Sequence, residues 1–318
     1  MAREHLVLLI GLLAFGAGLV LFLRSRRRPL LPEGGERSLS APGNSGPIVQ
    51  QLGSTAIVLR PPTSLGAPGT GLGPTRHPLV LVHGMFGFEA LRVGRQQHEY
   101  FRGIRSRLEG LGNEVHVVRL PVVAGIRVRA AVLAQQVRSL GIGRVNLVAH
   151  SMGGIDARYA ISKLGLRDSV ASLTTIGTPH WGTPVAHGGA LLFDQRLPLG
   201  RLLASLGADL DGLRELTPAR MLEFNRDVLD VSDVLYASYV GIADARRLRI
   251  TTPLWPSLLL LSAGVGPSDG LVPAVSQRWG VVLAEIEADH WAQIGWSGGF
   301  DAAAFYERVA TDLAARGY

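Results

Sequence analysis

Apolar positions fall into three regimes along the chain. Residues 6–23 (LVLLIGLLAFGAGLVLFL) form an uncharged run, residues 29–76 scatter a few apolar positions among Pro, Gly and Ser, and from 77 onwards short apolar runs alternate with amphipathic stretches. In that last regime LVLVH (79–83), EVHVVRL (114–120), RVNLVAH (144–150), SLTTIG (172–177), LLLLSAG (258–264) and VVLAEI (281–286) predict strands. Helices are expected between them. One puts Ile104 and Leu108 on a common face and ends near Gly110 and Gly112, one runs through 128–140, and one is written in IDARYAISKL. Near-continuous apolar strands separated by helices predict a mostly parallel sheet with helices on both faces. In such sheets the reactive groups lie just beyond the carboxyl ends of strands.

A helix over 6–23 would rise about 27 Å at ~1.5 Å per residue, close to the thickness of a bilayer's hydrocarbon core. A cleaved signal peptide would carry its charge before the apolar run and a small-x-small site after it, whereas Arg24, Arg26, Arg27 and Arg28 follow here. A buried core helix would need apolar partners that the next segment lacks. Residues 1–28 therefore read as an N-terminal transmembrane anchor, and the arginines after it place the body of a single-pass membrane protein on the cytoplasmic side. Residues 29–76 read as a Pro/Gly-rich linker. The apolar stretch 55–59 within it is either part of that tether or an edge strand of the folded domain at 77–318.

Composition narrows the function classes. The chain has 318 residues, 47% hydrophobic and 18% charged, which suits a buried core and excludes a disordered chain. It contains no cysteine, so a thiolate zinc site, a Cys nucleophile and disulfides are excluded. The net charge of +7 suggests nucleic acid until it is located: residues 1–28 hold five Arg and one Glu, leaving +3 for the rest. Those remaining arginines are scattered and form no basic stripe, so nucleic acid is disfavoured as a partner.

The strongest local signal is AHSMGG (149–154), directly after RVNLV and directly before a helical stretch. A serine on so sharp a strand-to-helix turn exposes its hydroxyl, and the turn needs small neighbours two positions to either side; Ala149 and Gly153 supply them around His150, Ser151 and Met152. The competing reading is a Ser that only caps the helix. A hydroxyl nucleophile needs a base, and with this turn the chain order runs Ser, then acid, then His. His5, His77, His83, His98, His116 and His150 precede or adjoin Ser151, and His180 and His187 follow too closely, which leaves His290, just after VVLAEI. Asp269, in the turn GPSDGLVP, is the matching acid; Asp289 adjoins His290 and is poorly placed to face it. Asp269 also suits an Asx turn, and His290 a surface loop. An oxyanion would need two N–H donors. Met152 gives one and the loop HGMFG, through Gly84 and Met85, gives the other.

The motifs LVLVHGMFGF, VNLVAHSMGGIDARY, TTIGTPHWGTPVA, LRELTPARMLEFN and GPSDGLVPAVSQRWG together resemble the secreted bacterial triacylglycerol lipases of the α/β-hydrolase superfamily. The resemblance implies an α/β-hydrolase fold, Ser151 as nucleophile, Asp269 as acid, His290 as base, and Met85 and Met152 as oxyanion donors. Those lipases hold a structural calcium partly through an Asp two residues past the catalytic His. Here that position is Ala292, with Trp296 further on, so no metal is expected, although Asp244 remains a candidate remnant ligand.

The insertion at 184–224 carries Leu199, Leu202, Leu203, Leu206, Leu210 and Leu213 at helical spacing. It resembles a lipase lid, and it equally suits a helix packed permanently on the core. Trp181, Trp255, Trp291 and Trp296 are candidates for an acyl pocket, with core packing the default for each. The expected function is a serine hydrolase of lipid carboxylic esters that needs no cofactor. A phospholipase or acyltransferase would use the same triad. A non-catalytic interaction protein of this fold would ordinarily lack a triad member, and none is missing.

Overall fold

Strand side chains in the folded domain alternate between two apolar faces, and that alternation sets the layers. The computed structural model describes residues 49–52, 55–58, 73–85, 90–93, 96–122, 124–192, 201, 211–244, 254–296 and 299–318. Its strands in chain order are β1 (Val49–Leu52), β2 (Thr55–Val58), β3 (Leu79–Val82), β4 (Ala90–Val93), β5 (Gln96–Glu99), β6 (Val115–Val117), β7 (Val145–His150), β8 (Val170–Ile176), β9 (Leu235–Ile242) and β10 (Val281–Glu287). Six of them form one sheet in the order β10-β9-β8-β7-β3-β6, with every neighbouring pair parallel.

In β3, Leu79 and Leu81 enter a core with Phe101, Ile104, Leu108 and Tyr306, beneath the helices Ile104–Gly110 and Ala302–Ala315. Val80 and Val82 point the other way, into a core with Ala130, Leu133, Ala157 and Ala160 from the helices Ile126–Ser139 and Gly153–Lys163. With period two and apolar residues at every position, the strand is buried on both faces. Each such Leu or Val contributes about 1.5–3 kcal/mol. From β3 the chain steps outward to β6, returns across β3 to β7, and then adds β8, β9 and β10 in turn. That reversal opens a crevice beyond the carboxyl ends of β3 and β7.

The structure departs from the sequence reading in two elements. LLLLSAG, expected as a strand, lies in the helix Trp255–Gly264. An apolar run without alternation does not distinguish strand from buried helix, and Leu and Ala, with Pro256 in the first turn, favour the helix. The fifth strand in order from β6 is instead β9, LYASYVGI, whose Tyr and Val suit a sheet. Within the expected linker, β1 and β2 pair antiparallel as a separate two-stranded sheet, so 55–58 is not an edge strand of the main sheet. Residues 1–28 lie outside the described residues, and among those described no helix is long and apolar enough to cross a membrane. Of the insertion, the helices Pro184–Leu192, Asp211–Glu215 and Pro218–Asp227 are described, whereas Leu199, Leu202, Leu203, Leu206 and Leu210 lie outside.

The helix Gly153–Lys163 begins hard against β3. A Cβ at Gly153 would stand 2.7 Å from the Val82 carbonyl oxygen and 2.8 Å from that of His83. Backbone cannot yield as a flexible side chain does, so Gly153→Ala should cost about 1–3 kcal/mol. A urea titration reads this as a lower midpoint at unchanged slope; an unchanged midpoint would show that helix and strand are not in this contact.

Candidate active site

Ser151 joins β7 to the helix Gly153–Lys163 and is the one non-glycine residue at positive φ (56°) among the described residues. A β-strand that passes into a helix within two residues forces this backbone, which costs about 1–3 kcal/mol and persists only where the surroundings over-determine it. Here they do. The Ser151 amide donates to Ile176 O at 2.9 Å, and its carbonyl accepts from Gly154 N at 3.1 Å and Thr178 Oγ1 at 2.8 Å. Gly84, at the end of β3, comes so close that a Cβ there would lie 2.7 Å from Ser151 Cβ and 3.1 Å from its Oγ. Any side chain at 84 would displace the serine.

The amides of Met85 and Met152 donate to no protein acceptor among the described residues, and Met152 is buried at the N-terminus of its helix. A buried amide left uncommitted at a helix N-terminus is a ready donor for a developing anion. Both residues flank Ser151 by way of Gly84 and the elbow.

The second half of the site comes from beyond β9 and β10. His290 Nδ1–H donates to Asp269 Oδ2 at 2.7 Å, and the His290 amide donates to the Asp269 carbonyl at 2.8 Å. Asp269 is fully buried, and its other oxygen, Oδ1, accepts from the amides of Leu271 (3.0 Å) and Val272 (2.7 Å). Both carboxylate oxygens are thus held before any substrate arrives. Asp289 points elsewhere, its Oδ1 accepting from the amides of Trp291 and Ala292 at 2.8 Å each. The His150 and His290 rings lie 4.6 Å apart between centroids, which sets the His290–Asp269 pair next to the residue preceding Ser151. Ser151 Oγ and His290 are not hydrogen-bonded to each other among the described residues, a separation common before substrate tightens such a site.

Of the residues read from sequence, Ser151, Met85, Met152, His150, Asp269 and His290 gather at the carboxyl ends of the strands, and Ala149 and Gly153 are buried in the turn. His180 sits apart, stacked on Trp279 at 5.2 Å with Thr175 Oγ1 3.1 Å from its Nε2. Two neighbours carried no signal in the sequence. Tyr100 Oη lies 2.7 Å from His150 Nδ1 and accepts from Gly84 N at 3.2 Å, and Gln293 touches both His150 and Asp269. Neither belongs to a motif, and nothing in the chain order marks their partners.

Ala292, at the position where the resembling lipases place a calcium ligand, presents only a buried methyl, so these residues do not fit that metal. Asp289 fastens this turn through the amides of Trp291 and Ala292. Among the described residues no three His, Asp or Glu side chains cluster to hold a metal. Trp181 packs against Trp279, Trp296 donates to the Tyr100 carbonyl, and the Trp255 side chain lies outside the described residues.

Burial sets the protonation of the groups around the site. It lowers His83 to about 3, with Arg129 adding to the effect, and holds His150 and His180 well below the ordinary histidine value. Burial also raises Asp156 to about 6, against the pull of its ion-pair partner Arg129 at 2.8 Å.

A family model described as the alpha/beta hydrolase fold matches residues 126–198. The chain is 30% identical over 247 residues to triacylglycerol lipase 2 of Saccharomyces cerevisiae, covering 69% of this chain and 74% of that protein. It is 31% identical over 250 residues to a triacylglycerol lipase of Vibrio cholerae, covering 68% of this chain and 78% of the relative. The crystal structure of a metagenomic carboxyl esterase superposes with a TM-score of 0.65 at 23% identity over 94% of this chain and 90% of its own, a likeness of fold.

The buried histidines predict a particular acid response. In the unfolded chain each takes up a proton near pH 6.5, while His83, His150 and His180 in the folded protein stay neutral, so stability falls as pH drops below about 6.5 and, for His83, on toward about 3. Asp156 acts in the opposite sense between 3.8 and about 6, where only the folded state holds its proton. Three buried histidines oppose one buried carboxyl, so the net effect of these groups is a loss of stability as pH falls from 7 toward 5. Urea melts at pH 5 and pH 7 test it, and equal or greater stability at pH 5 would contradict the assignment.

Proposed function

The chain belongs to the lipase family of α/β hydrolases and is a serine ester hydrolase, and from this premise we propose that its substrates are carboxylic esters of lipids, cleaved at Ser151. The reading is carried by one observation: a left-handed serine, two uncommitted amides and a preformed His–Asp pair share one crevice. Ser151 Oγ attacks the ester carbonyl as His290 Nε2 takes its proton. Asp269 fixes the imidazole tautomer through Nδ1–H and stabilises the imidazolium. The carbonyl oxygen becomes an oxyanion and accepts from the Met85 and Met152 amides. Collapse expels the alcohol, which takes the proton from His290, and leaves an acyl ester on Ser151. Water activated by His290 then releases the fatty acid and regenerates the serine. The relatives named as triacylglycerol lipases support a lipid ester as the substrate class.

We propose further that residues 184–224 act as a lid. Its described return supports this: Gly212 packs where a Cβ would stand 3.0 Å from the Cε atoms of both Met85 and Met152, and Glu215 accepts from the Ile126 amide at 2.6 Å, which fastens the segment to a helix N-terminus beside the crevice. On the evidence of the uncharged run at 6–23 and the arginines after it, residues 1–28 anchor the protein in a membrane, 29–76 are the linker, and the catalytic domain at 77–318 lies on the cytoplasmic side.

Ester turnover tests the triad. Ser151→Ala and His290→Ala should each lower kcat by about 10⁴-fold or more, while Asp269→Asn leaves a trace, since Asp269 orients the base and transfers no proton. An active His290→Ala variant would overturn the assignment. The lid is tested separately with the triple replacement of Leu202, Leu203 and Leu206 by Ser, which should flatten the rate increase at a long-chain ester interface and spare soluble short esters. If the triple variant loses both activities equally, the segment is core structure and not a lid.

A further inference from the structure

Gln293 lies three residues beyond His290, on the short turn Ala292–Ile294, and is fully buried. Its Nε2 donates to Asp269 Oδ2 at 3.1 Å, the same oxygen that accepts from His290 Nδ1. Its Oε1 faces His150 Nε2 at 3.2 Å. Charge fixes this orientation, because the reversed amide would set its carbonyl oxygen against the Asp269 carboxylate. His150 Nε2 must therefore carry the hydrogen, which leaves Nδ1 to accept from Tyr100 Oη, and Tyr100 Oη accepts from the Gly84 amide.

The result is a single chain of donors from the end of β3 to the triad acid: Gly84 N–H, Tyr100 O–H, His150 Nε2–H, Gln293 Nε2–H, Asp269. Burial keeps the links in the required form, raising the Tyr100 phenol above its ordinary range and holding His150 neutral. The backbone leaves room for the amide: a Cβ at Gly177, which follows β8, or at Gly241 in β9 would fall on it.

We propose that Gln293 is a positioning residue for hydrolysis, its amide locking the Asp269 carboxylate to the serine elbow through His150 so that acid, base and oxyanion loop move as one unit. This rests on the Ser151–His290–Asp269 reading. The titratable groups facing Gln293 are Asp269, His150 and His290. Tyr100 stands behind His150, Asp289 on the same turn is engaged with the amides of Trp291 and Ala292, and Gln277, which holds Gly241 from the acid side, is neutral.

Gln293→Glu keeps the shape and changes the charge. Below the pKa of the new acid its O–H replaces the amide donor to Asp269; above it, two carboxylates confront each other and the added charge favours protonated His290, which cannot act as base. The expected profile is a kcat within about tenfold of wild type near pH 5.5 and about 100-fold below it near pH 8, with KM unchanged. Gln293→Met, which has no donor, should lower kcat about 10-fold to 100-fold at every pH with KM held. Both variants within about twofold of wild type, with the same pH profile, would overturn the proposal.

If neither variant folds, ¹⁵N-histidine spectra of the wild-type protein decide. His150 should remain neutral and hydrogenated on Nε2 from about pH 5 to about pH 8, and the other tautomer, or a charged ring in that range, would break the chain of donors. Ser151→Ala in the same assay separates the two readings. An active Ser151→Ala sinks the triad, whereas an inactive one beside normal Gln293 variants sinks only the role of Gln293.

Discussion

The left-handed backbone at Ser151 is the constraint from which the rest of the site follows. A strand that ends at His150 and a helix that starts at Gly153 leave two residues for the turn, and the serine takes the unfavourable φ. Three approaches of backbone make that conformation fit: Gly84 against the Ser151 side chain, Gly153 against the β3 carbonyls, and Gly154 against Thr178. Each position admits no Cβ without a shift. The same turn leaves the Met152 amide uncommitted at a helix N-terminus, so the geometry that presents the Ser151 hydroxyl also creates a donor suited to the oxyanion of the proposed reaction.

Beneath this turn a buried polar layer fixes the strand ends. Arg129 pairs with Asp156 on the helix Gly153–Lys163 and donates to the carbonyls of Pro121 (2.5 Å) and His83 (2.9 Å), so a fully desolvated guanidinium holds the start of the loop after β3. Removing one member of such a pair would strand the other, at a cost of about 3–5 kcal/mol. On the acid side, Gln277 pairs with both the amide and the carbonyl of Gly241 and donates to the Val272 carbonyl, tying the Asp269 loop to β9. Asp289 closes the turn after His290. Neutral amides, one ion pair and backbone groups thus hold the loops that carry Asp269 and His290.

The sequence made the site legible where chemistry sits in short motifs. AHSMGG located Ser151 because a turn this tight restricts its neighbours, and HGM located the Met85 amide because it follows the first apolar strand. The support of the Asp269 turn is less legible: the run before it is a helix, and the strand it meets is β9, just past whose end the Ala243 amide donates to the Ser268 carbonyl. Unalternated Leu carries no period, and β9 mixes Tyr, Ser and Gly with its Val and Ile, which masked its apolar character. Tyr100 and Gln293 leave no signal in the sequence because they lie 50 and 143 residues along the chain from the one residue both meet, His150. Contacts made only by folding leave no local pattern.

The central claim is that the strained serine forms the covalent intermediate. Intact-mass and peptide-mapping spectrometry of the protein after reaction with a fluorophosphonate tests this directly. The account predicts one adduct per chain, on the peptide bearing Ser151, and none on Ser151→Ala. An adduct on another residue, or an unmodified protein that still turns over ester, would contradict it.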